Sequence, residues 1–600
     1  MLVTHPLPES GVLACSGSNP LQAAGMQRMW DEDWLLIWLD VDPQDILARL
    51  AGMKVDRIVG QATSSLASVL PTRLASYQRW HHLRVLAGQG WSIEALLVEV
   101  VVAVDRWKEG REGGLTSTRA HGTHSLDTAL LGGLAPCGGL YLPTSLPPPL
   151  TCDQLSRFLG AAYTEVSSFV LARLLHPMEV PPHVVGKMVT SAYSTFEDPG
   201  VVPVRQLEED IHLAELFHGP TGSFKDLALQ LTPQLVARAL AAGDGGRSLV
   251  LVATSGDTGS AVLEGFGKFG GSDLAVIVLY PTKGISEVQR QQMVTCKAPN
   301  VRVMAVTGDF DDCQRLVKDM FKEQELVTFL KSQHGVVLNT ANSINWGRLV
   351  PQVAYHFHVY LRMVEQGRVA MGEEVDLVVP CGNMGNMVSA LLARSMGVPY
   401  GRMTIASNSN NVLADFFTSG RYDLQGRQLL RTISPAIDIL VSSNLERWLS
   451  LQLGQARVAE LYGQLAKDRA FQLTEEELEL VRPPHLKTDW CSEEDCKAEI
   501  TASFASSGYL LDPHTAVAVA VGRRVRTAAP QVVLATAHYS KFWEDLKALV
   551  PGGREAVERP APHAGVAACL ERQVVHTRVI QPTHSILIAK IKEFAAEVFS

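Results

Sequence analysis

A lysine follows a run of turn-forming residues in the segment HGPTGSFKD, residues 218–226. Ser223 and Asp226 are spaced as at a helix start, which predicts Lys225 in the first turn of a helix continuing past residue 235. Unpaired amides in a first turn oppose protonation of a nearby amine, and a lysine must lose its proton before it condenses with an aldehyde. The position therefore suits a Schiff-base lysine, although by itself the pattern fits a solvated lysine better.

Two further loops combine glycine with groups that bind anions. The loop GNMGN, residues 382–386, leads from a predicted strand into a predicted helix at 387–396. Its glycines let successive amides point inward, which suits a phosphate dianion, although an ordinary glycine-rich turn also fits. The loop TSGDTG, residues 254–259, precedes another predicted helix, and its hydroxyls and amides suit a carboxylate.

The elements that position these loops follow the pattern of an α/β fold with mainly parallel sheets. The predicted strands are 247–253, 274–280, 301–306, 335–338, 375–379, 402–407 and 531–535. The predicted helices are 260–269, 286–296, 309–323 and 344–366, and Pro351 predicts a kink or a late start in the last. Ligands of open α/β sheets bind beyond the carboxyl ends of the strands, so the loops are expected to line one cleft.

Length and composition limit the class of protein. The 600 residues suggest about three to four folding units. The net charge of -9 gives no electrostatic reason to expect nucleic acid or an anionic membrane as a partner. No run approaches the ~18 uninterrupted apolar residues of a membrane span. The scattered cysteines fit a reduced intracellular protein, so we expect a cytoplasmic location; a mitochondrial one stays open if a presequence is missing from this chain.

Several blocks in this order resemble the threonine synthase family across residues 114–550. They are STR at 117–119, GGLY at 138–141, ELFHGPT at 215–221 with FKD at 224–226, TSGDTG at 254–259, NSINW at 342–346, GNMGN at 382–386, and TAH at 536–538 with KF at 541–542. The resemblance implies a fold-type II, tryptophan synthase beta-like enzyme of pyridoxal 5'-phosphate (PLP), with two α/β subdomains and the cofactor cleft between them.

The same resemblance implies roles for individual residues. Lys225 would be the catalytic lysine that holds the cofactor, and the hydroxyl of Thr536 would meet the pyridine nitrogen. The cofactor phosphate would be held by Gly382, Asn383, Met384, Gly385 and Asn386. Cys381 and Met384 replace a hydroxyl residue and a Phe usual in the family. The residues expected to contact substrate or the ring hydroxyl are Thr254, Ser255, Asp257, Thr258, Arg348 and Lys541, with Lys283 as a further candidate for the substrate phosphate.

The implied reaction is a lyase reaction on O-phosphohomoserine or a related phospho-amino acid. Loss of phosphate from the γ carbon would lead to threonine or to 2-oxobutyrate. The alternative is a catalytically weak or inactive PLP-binding homologue that acts through protein contacts. We expect a small-molecule substrate, no nucleic-acid or membrane partner, no metal, and a monomer or homodimer.

The chain outside this match divides at two segments of low order. A junction near residue 113 predicts a region 1–112, a body 113–550, and a linker with a C-terminal amphipathic helix at 551–600. The first region resembles the later part of a shikimate kinase, with a lid at 53–60 that carries Arg57. The phosphate loop G-x-x-x-x-G-K-[ST] is nowhere in the sequence, which predicts an incomplete P-loop-kinase-like region without phosphotransfer.

Overall fold

The computed structural model describes residues 12–15, 19–32, 34–51, 66–88, 91–109, 114–243, 246–550 and 560–599. The predicted lid with Arg57 lies outside these residues. Among them, no helix is both long enough and apolar enough to cross a membrane.

The larger of the two main sheets has six strands, and we call it the large sheet. Five strands are parallel, and the last is antiparallel to its neighbour. In spatial order they are Leu486–Trp490, Tyr400–Ser407, Val375–Pro380, Gln531–Ala535, Ile211–Glu215 and Val204–Glu208. The four central strands consist mostly of buried residues, as expected where helices cover both faces of a parallel sheet.

A second sheet, which we call the small sheet, has five parallel strands. In order they are Val336–Asn339, Arg247–Ala253, Leu274–Pro281, Val301–Val306 and Val579–Ile580. The predicted strands 247–253, 301–306 and 531–535 are confirmed to the residue, and the others differ by one or two residues at an end. Short antiparallel pairs join Leu115–Ser117 to Tyr141–Pro143 and Arg421–Asp423 to Ala470–Gln472.

Helices pack around both sheets. Those of the body are Leu126–Gly132, Cys152–Ser156, Tyr163–Leu174, Pro182–Tyr193, Lys225–Leu229, Thr232–Ala242, Asp257–Phe269, Glu287–Val294, Phe310–Lys322, Gln324–His334, Trp346–Glu365, Gly385–Ser395, Val412–Ser419, Leu445–Leu453, Gln455–Asp468, Glu475–Val481, Glu493–Ser507, Pro513–Arg524 and Trp543–Leu546. One buried apolar cluster includes residues from both sheets, for example Val250 of the small sheet and Leu534 of the large sheet. The two α/β units therefore share a core.

The helix predicted to follow the lysine is two helices. Lys225–Leu229 ends after little more than one turn, and Thr232–Ala242 begins after a break. Pro233 has no N–H with which to bond the carbonyl of Leu229, which accounts for the interruption. The prediction of a single helix was therefore wrong, while the placement of Lys225 in a first turn is confirmed.

Pro351 lies inside a helix that starts before it. Trp346–Glu365 continues through the proline, so of the two predicted alternatives, a kink or a late start, the late start was wrong. A proline at this position leaves the carbonyl of Gly347 without its usual helical donor. The hydroxyl of Thr232 is 2.7 Å from that carbonyl oxygen and supplies a donor from a neighbouring helix.

The N-terminal residues form a small α/β unit that contacts the body. Two parallel strands, Ile37–Asp40 and Leu83–Leu86, are accompanied by the helices Ala23–Asp31, Pro43–Ala51, Leu66–Arg79 and Ile93–Glu109. Buried Asp40 pairs with Arg84 and also with Arg157 of the body, at 2.6 and 2.9 Å. The amide of Gln154 donates to the carbonyl of Leu86, so this unit is bonded to the body at its strand ends.

The C-terminal residues pack on the small sheet. Helix His584–Val598, predicted from its amphipathic pattern, buries Leu587, Ile591 and Phe594 against that sheet's helices. Before it, helix Ala564–Glu571 and strand Val579–Ile580 were not predicted. The strand extends the sheet beside Val301–Val306, so this segment is part of the small α/β unit.

Candidate active site

The lysine loop, residues 218–226, is bonded to the end of a strand of the large sheet. The N–H of Phe224 donates to the carbonyl of Thr536 at 2.8 Å, and the N–H of His538 donates to the carbonyl of Gly222 at 3.0 Å. Between these bonds, Ser223 and Ala537 form an antiparallel bridge. The predicted neighbours Lys225 and Thr536 are therefore brought together by main-chain bonds on either side.

The turn before the lysine is built around a buried carboxyl group. Asp226 accepts hydrogen bonds from the N–H and the hydroxyl of Thr221, both at 2.8 Å. The predicted helix start at Ser223 was wrong in detail, because the helix cap is Phe224 and the Asp226 side chain turns back into the loop. A Cβ at Gly219 would lie 2.4 Å from the Asp226 Cβ, so the tight turn requires glycine there.

The amine of Lys225 meets a carboxylate from the small sheet. Asp257 is the first residue of helix Asp257–Phe269, after the strand Arg247–Ala253, and its Oδ2 is 3.3 Å from Lys225 Nζ. Burial lowers the pKa of Lys225, with Lys541 and Arg348 acting in the same direction and Asp257 opposing them. A lysine whose proton is held less tightly than usual is suited to nucleophilic attack on an aldehyde.

Lys541 also contacts Asp257. Its Nζ is 3.3 Å from Asp257 Oδ1, 2.8 Å from the carbonyl oxygen of Thr221 and 2.6 Å from Gln292 Oε1. These three acceptors match the three N–H groups of an ammonium. Burial would raise the pKa of Asp257, but Lys225 and Lys541 outweigh it and hold that pKa below its usual range.

In the loop 254–259, one side chain bonds within the loop and two others are partly exposed. Thr254 is buried, and its hydroxyl oxygen accepts the N–H groups of Gly256 and Gly259, both at 2.9 Å. Ser255 and Thr258 are partly exposed. The structure therefore uses Thr254 to shape the loop and leaves Ser255 and Thr258 accessible to a ligand.

The loop 382–386 has the backbone of an anion nest at the start of helix Gly385–Ser395. Met384 has a left-handed φ of 60°, which is unusual for a residue with a side chain. The first amides of a helix lack helical acceptors and carry partial positive charge. A Cβ at Gly382 would lie 2.8 Å from Ile439, so the backbone approaches its neighbour too closely for another residue.

Ser442 and Asn444 form hydrogen bonds with the main chain of this loop. The hydroxyl of Ser442 donates to the Gly382 carbonyl at 2.8 Å, and the N–H of Asn444 donates to the Asn383 carbonyl at 3.0 Å. Asn386 Oδ1 accepts the hydroxyl of Tyr355 at 2.7 Å, while its buried Nδ2 has no partner within the described residues. An unbonded amide donor at the end of the nest, in the first turn of the helix, is what a bound phosphate oxygen would satisfy.

Two further predicted cations occupy different surroundings. Arg348 lies in the first turn of helix Trp346–Glu365, buried, and donates to the carbonyl of Ala341. Burial lowers its pKa to about 10, and its Nε has no hydrogen-bond partner in the described part of the chain. Lys283 is exposed on the loop after the strand Leu274–Pro281. Arg348 is one of the cations that lower the pKa of Lys225.

Sequence reasoning missed the polar residues that complete the site. Gln289 donates to Asp257 Oδ1 at 2.9 Å, and Gln292 donates to the Thr221 carbonyl at 2.9 Å. His563, from the segment predicted as a linker, is buried against Gly222. The capping pattern Ser286 with Gln289 signals the helix that carries both glutamines, but no local pattern indicates which side chains face the lysine.

The histidines that lie close together in the sequence, His81 with His82 and His356 with His358, are buried in the protein interior. His356 bonds Tyr400 and Ser389, and His82 accepts the N–H of Leu36. Among the described residues, no group of three or more His, Cys, Asp or Glu side chains could hold a metal ion.

The comparisons with known proteins agree with this geometry. Residues 201–536 match the family model described as pyridoxal-phosphate dependent enzyme, and residues 115–193 match threonine synthase N terminus. Threonine synthase-like 1 of Homo sapiens is 40% identical over 548 residues, which cover 88% of this chain and 73% of that protein. Threonine synthase of Pseudomonas aeruginosa is 36% identical, with 79% of this chain and 96% of that protein covered.

Solved structures give the same result. PLP-bound threonine synthase from Brucella melitensis superimposes with a TM-score of 0.73 at 35% identity and covers 80% of this chain and 99% of its own. Yeast threonine synthase gives a TM-score of 0.74 at 29% identity, covering 81% and 100%. The nest, the unbonded Asn386 amide and the amine of Lys225 fit the phosphate and aldehyde ends of the cofactor. The chain therefore belongs to the pyridoxal-phosphate-dependent enzymes, as a fold-type II member of the threonine synthase family whose cofactor is pyridoxal phosphate.

Proposed function

We propose that this enzyme removes phosphate from O-phosphohomoserine. With one water molecule the products are threonine and phosphate, or 2-oxobutyrate, ammonia and phosphate when the intermediate breaks down first. The observation that carries the proposal is the amine of Lys225 beside Asp257, with Lys541 and Arg348 near enough to lower its pKa. Two solved structures that match 80% and 81% of this chain are threonine synthases.

The bound cofactor would supply the electron sink that makes the α and β protons of the substrate removable. Lys225 Nζ would carry these protons, because its lowered pKa and its contact with Asp257 allow it to alternate between the neutral and the charged form. Gly382, Asn383, Met384, Gly385 and Asn386 would hold the cofactor phosphate, and Thr536 would meet the pyridine nitrogen.

The substrate would lie between the loop 254–259 and the cations. Ser255 and Thr258, which are partly exposed, would contact its carboxylate, and Asp257 would lie beneath the reacting atoms. Arg348 would bind the substrate phosphate through the guanidinium edge that has a free Nε. Lys283 would contribute from the rim.

The test is incubation of the PLP-loaded protein with O-phosphohomoserine, with phosphate, threonine and 2-oxobutyrate assayed together. Phosphate release is expected in wild type and is expected to be lost in Lys225→Ala. Borohydride reduction followed by peptide mapping should locate a pyridoxyl group on Lys225 in wild type only. Phosphate release that persists in Lys225→Ala would refute the proposal.

A different outcome separates the alternative function. If peptide mapping finds the pyridoxyl group on Lys225 but no phosphate is released, the protein binds the cofactor without this reaction. That result would favour the homologue that acts through protein contacts. The distinction is clear because cofactor capture and substrate turnover are measured separately.

We also propose that residues 1–112 are a kinase-like remnant without phosphotransfer. The supporting observations are the parallel strands Ile37–Asp40 and Leu83–Leu86 with their helices, and the missing phosphate-loop motif. The match to threonine synthase-like 1 also covers more of the chain than residues 113–600 contain. Binding of ATP measured by calorimetry, with no heat expected, tests the proposal; tight ATP binding would contradict it.

A further inference from the structure

Lys541 is fully buried, and its ammonium is already saturated. Its side chain has no exposed surface, and the acceptors Asp257, Thr221 and Gln292 come from three different segments of the chain. A substrate phosphate could bind this ammonium only by displacing one of them. The geometry is that of a cation serving the protein rather than a ligand.

One carboxylate is shared by two amines. Asp257 Oδ2 lies 3.3 Å from the amine of Lys225, and Oδ1 lies 3.3 Å from the amine of Lys541. Gln289 also donates a hydrogen bond to Oδ1 at 2.9 Å. When Lys225 gives up its proton, one of the two positive charges beside Asp257 is lost. A buried carboxylate left without a partner is costly, and Lys541 remains in place to neutralise it.

We propose that Lys541 is a positioning residue that keeps Asp257 as a fixed anion beneath Lys225 throughout the reaction. The inference rests on the proposed function and assigns to Lys541 a role other than binding substrate. Because Asp257 stays ionised, the same carboxylate faces Lys225 whether its amine is neutral or protonated. The same ammonium ties the lysine loop, through Thr221, to the loop 254–259 and to helix Glu287–Val294.

The charged groups around this pair come from several elements. Lys225 is influenced by Asp257, Lys541 and Arg348. Lys541 in turn acts to lower the pKa values of Asp226, His563 and Cys569, and His514 lowers the pKa of Asp257. Lys541 contacts both Asp257 and the carbonyl of Thr221 in the lysine loop, so we expect its removal to change the pKa of Lys225 more than removal of Arg348.

The experiment uses full-length protein freed of cofactor, modified with a small amine-reactive anhydride over a range of pH and read by mass mapping of Lys225. In Lys541→Met, half-modification of Lys225 should shift to higher pH, because a neighbouring positive charge is lost and Asp257 is left to Lys225 alone. Lys541→Arg, which keeps the charge, should shift it less. Lys547→Met, a charge change directly after the short helix Trp543–Leu546, is the matched control and should leave the profile of wild type.

An unchanged pH profile in Lys541→Met would overturn the proposal, as would equal shifts in the Met and Arg variants. If Lys541→Met does not fold, Lys541→Gln carries the same comparison. Wild type alone gives a further check, since Lys541 should stay unmodified at the pH where Lys225 is half modified. None of these measurements uses substrate. An enzyme that releases no phosphate would therefore refute the proposed function, while the pH profile of Lys225 modification would still test the role of Lys541.

Discussion

Thr232 and Pro351 form a compensating pair that can be tested by mutation. Pro351 cannot donate to the carbonyl of Gly347, and Thr232 Oγ1 lies 2.7 Å from that oxygen. The hydroxyl also lies 2.8 Å from the carbonyl of Ala228, so one proton serves two acceptors. Because Gly347 is buried, loss of the hydroxyl leaves a buried carbonyl without this donor.

Thr232→Val keeps the shape of the side chain and removes only the donor. We expect the free energy of unfolding to fall by about 1–3 kcal/mol, the usual cost of an unsatisfied buried polar group. Urea denaturation followed by circular dichroism measures it. Thr190→Val is the matched control, because its hydroxyl also bonds the carbonyl four residues back, that of Gly186, but on an exposed helix face.

Pro351→Ala supplies the decisive second mutation. Alanine restores an N–H that can donate to Gly347, so Thr232→Val should cost clearly less in the Pro351→Ala background than in wild type. Residues that share an acceptor should show such coupling. If Thr232→Val costs the same free energy in both backgrounds, the hydroxyl does not compensate for the proline and the reasoning is refuted.

Three other changes have expected outcomes. Burial raises the pKa of Asp226 from 3.8 to about 7, so its stabilising contribution is complete below pH 3.8 and is lost as pH rises to about 7; Asp226→Asn should show a smaller fall in unfolding free energy over that range in urea titrations. Arg348→Met should raise KM for O-phosphohomoserine about tenfold to a hundredfold in a phosphate-release assay, and an unchanged KM would contradict its role. Glu446→Gln should destabilise by about 1–3 kcal/mol in urea, because the carboxylate of Glu446 accepts two hydrogen bonds from Arg119 at 2.7 and 2.8 Å and one from Thr118.

Most of the sheet framework could be predicted from the sequence because buried parallel strands are continuous apolar runs. The strand Arg247–Ala253 is such a run, and the helix Phe310–Lys322 repeats its apolar residues with the helical period. Ligands of open α/β sheets bind beyond the carboxyl ends of the strands, so Asp257 and Thr536 could be predicted to line one cleft. The structure places the strands before them in different sheets, the small sheet for Asp257 and the large sheet for Thr536. Asp257, Lys541 and Thr536 were named before any distance was known, whereas Gln289 and Gln292 were not.

The misplaced elements depended on partners far along the chain. A proline inside a helix is tolerated where another element satisfies the freed carbonyl, and Thr232, more than a hundred residues before Pro351, does so. In the same way, the segment after residue 560 has the composition of a linker, yet a Cβ at Gly565 would lie 2.2 Å from the carbonyl of Pro220. Close packing of this kind has no local pattern, because it depends on which surface the chain returns to.

The role of Lys541 shows the same limit in the active site. A lysine beside a predicted phospho-substrate site is naturally assigned to the phosphate, because sequence reveals charge but not the number of acceptors around it. Three protein acceptors within 3.3 Å, together with complete burial, are the observations behind our proposal that Lys541 supports Asp257 and does not bind the ligand. Arg348, whose Nε has no partner within the described residues, keeps the capacity that Lys541 lacks. The cation that binds substrate should therefore be sought among side chains with unused donors, and that criterion separates two residues which their charge alone does not.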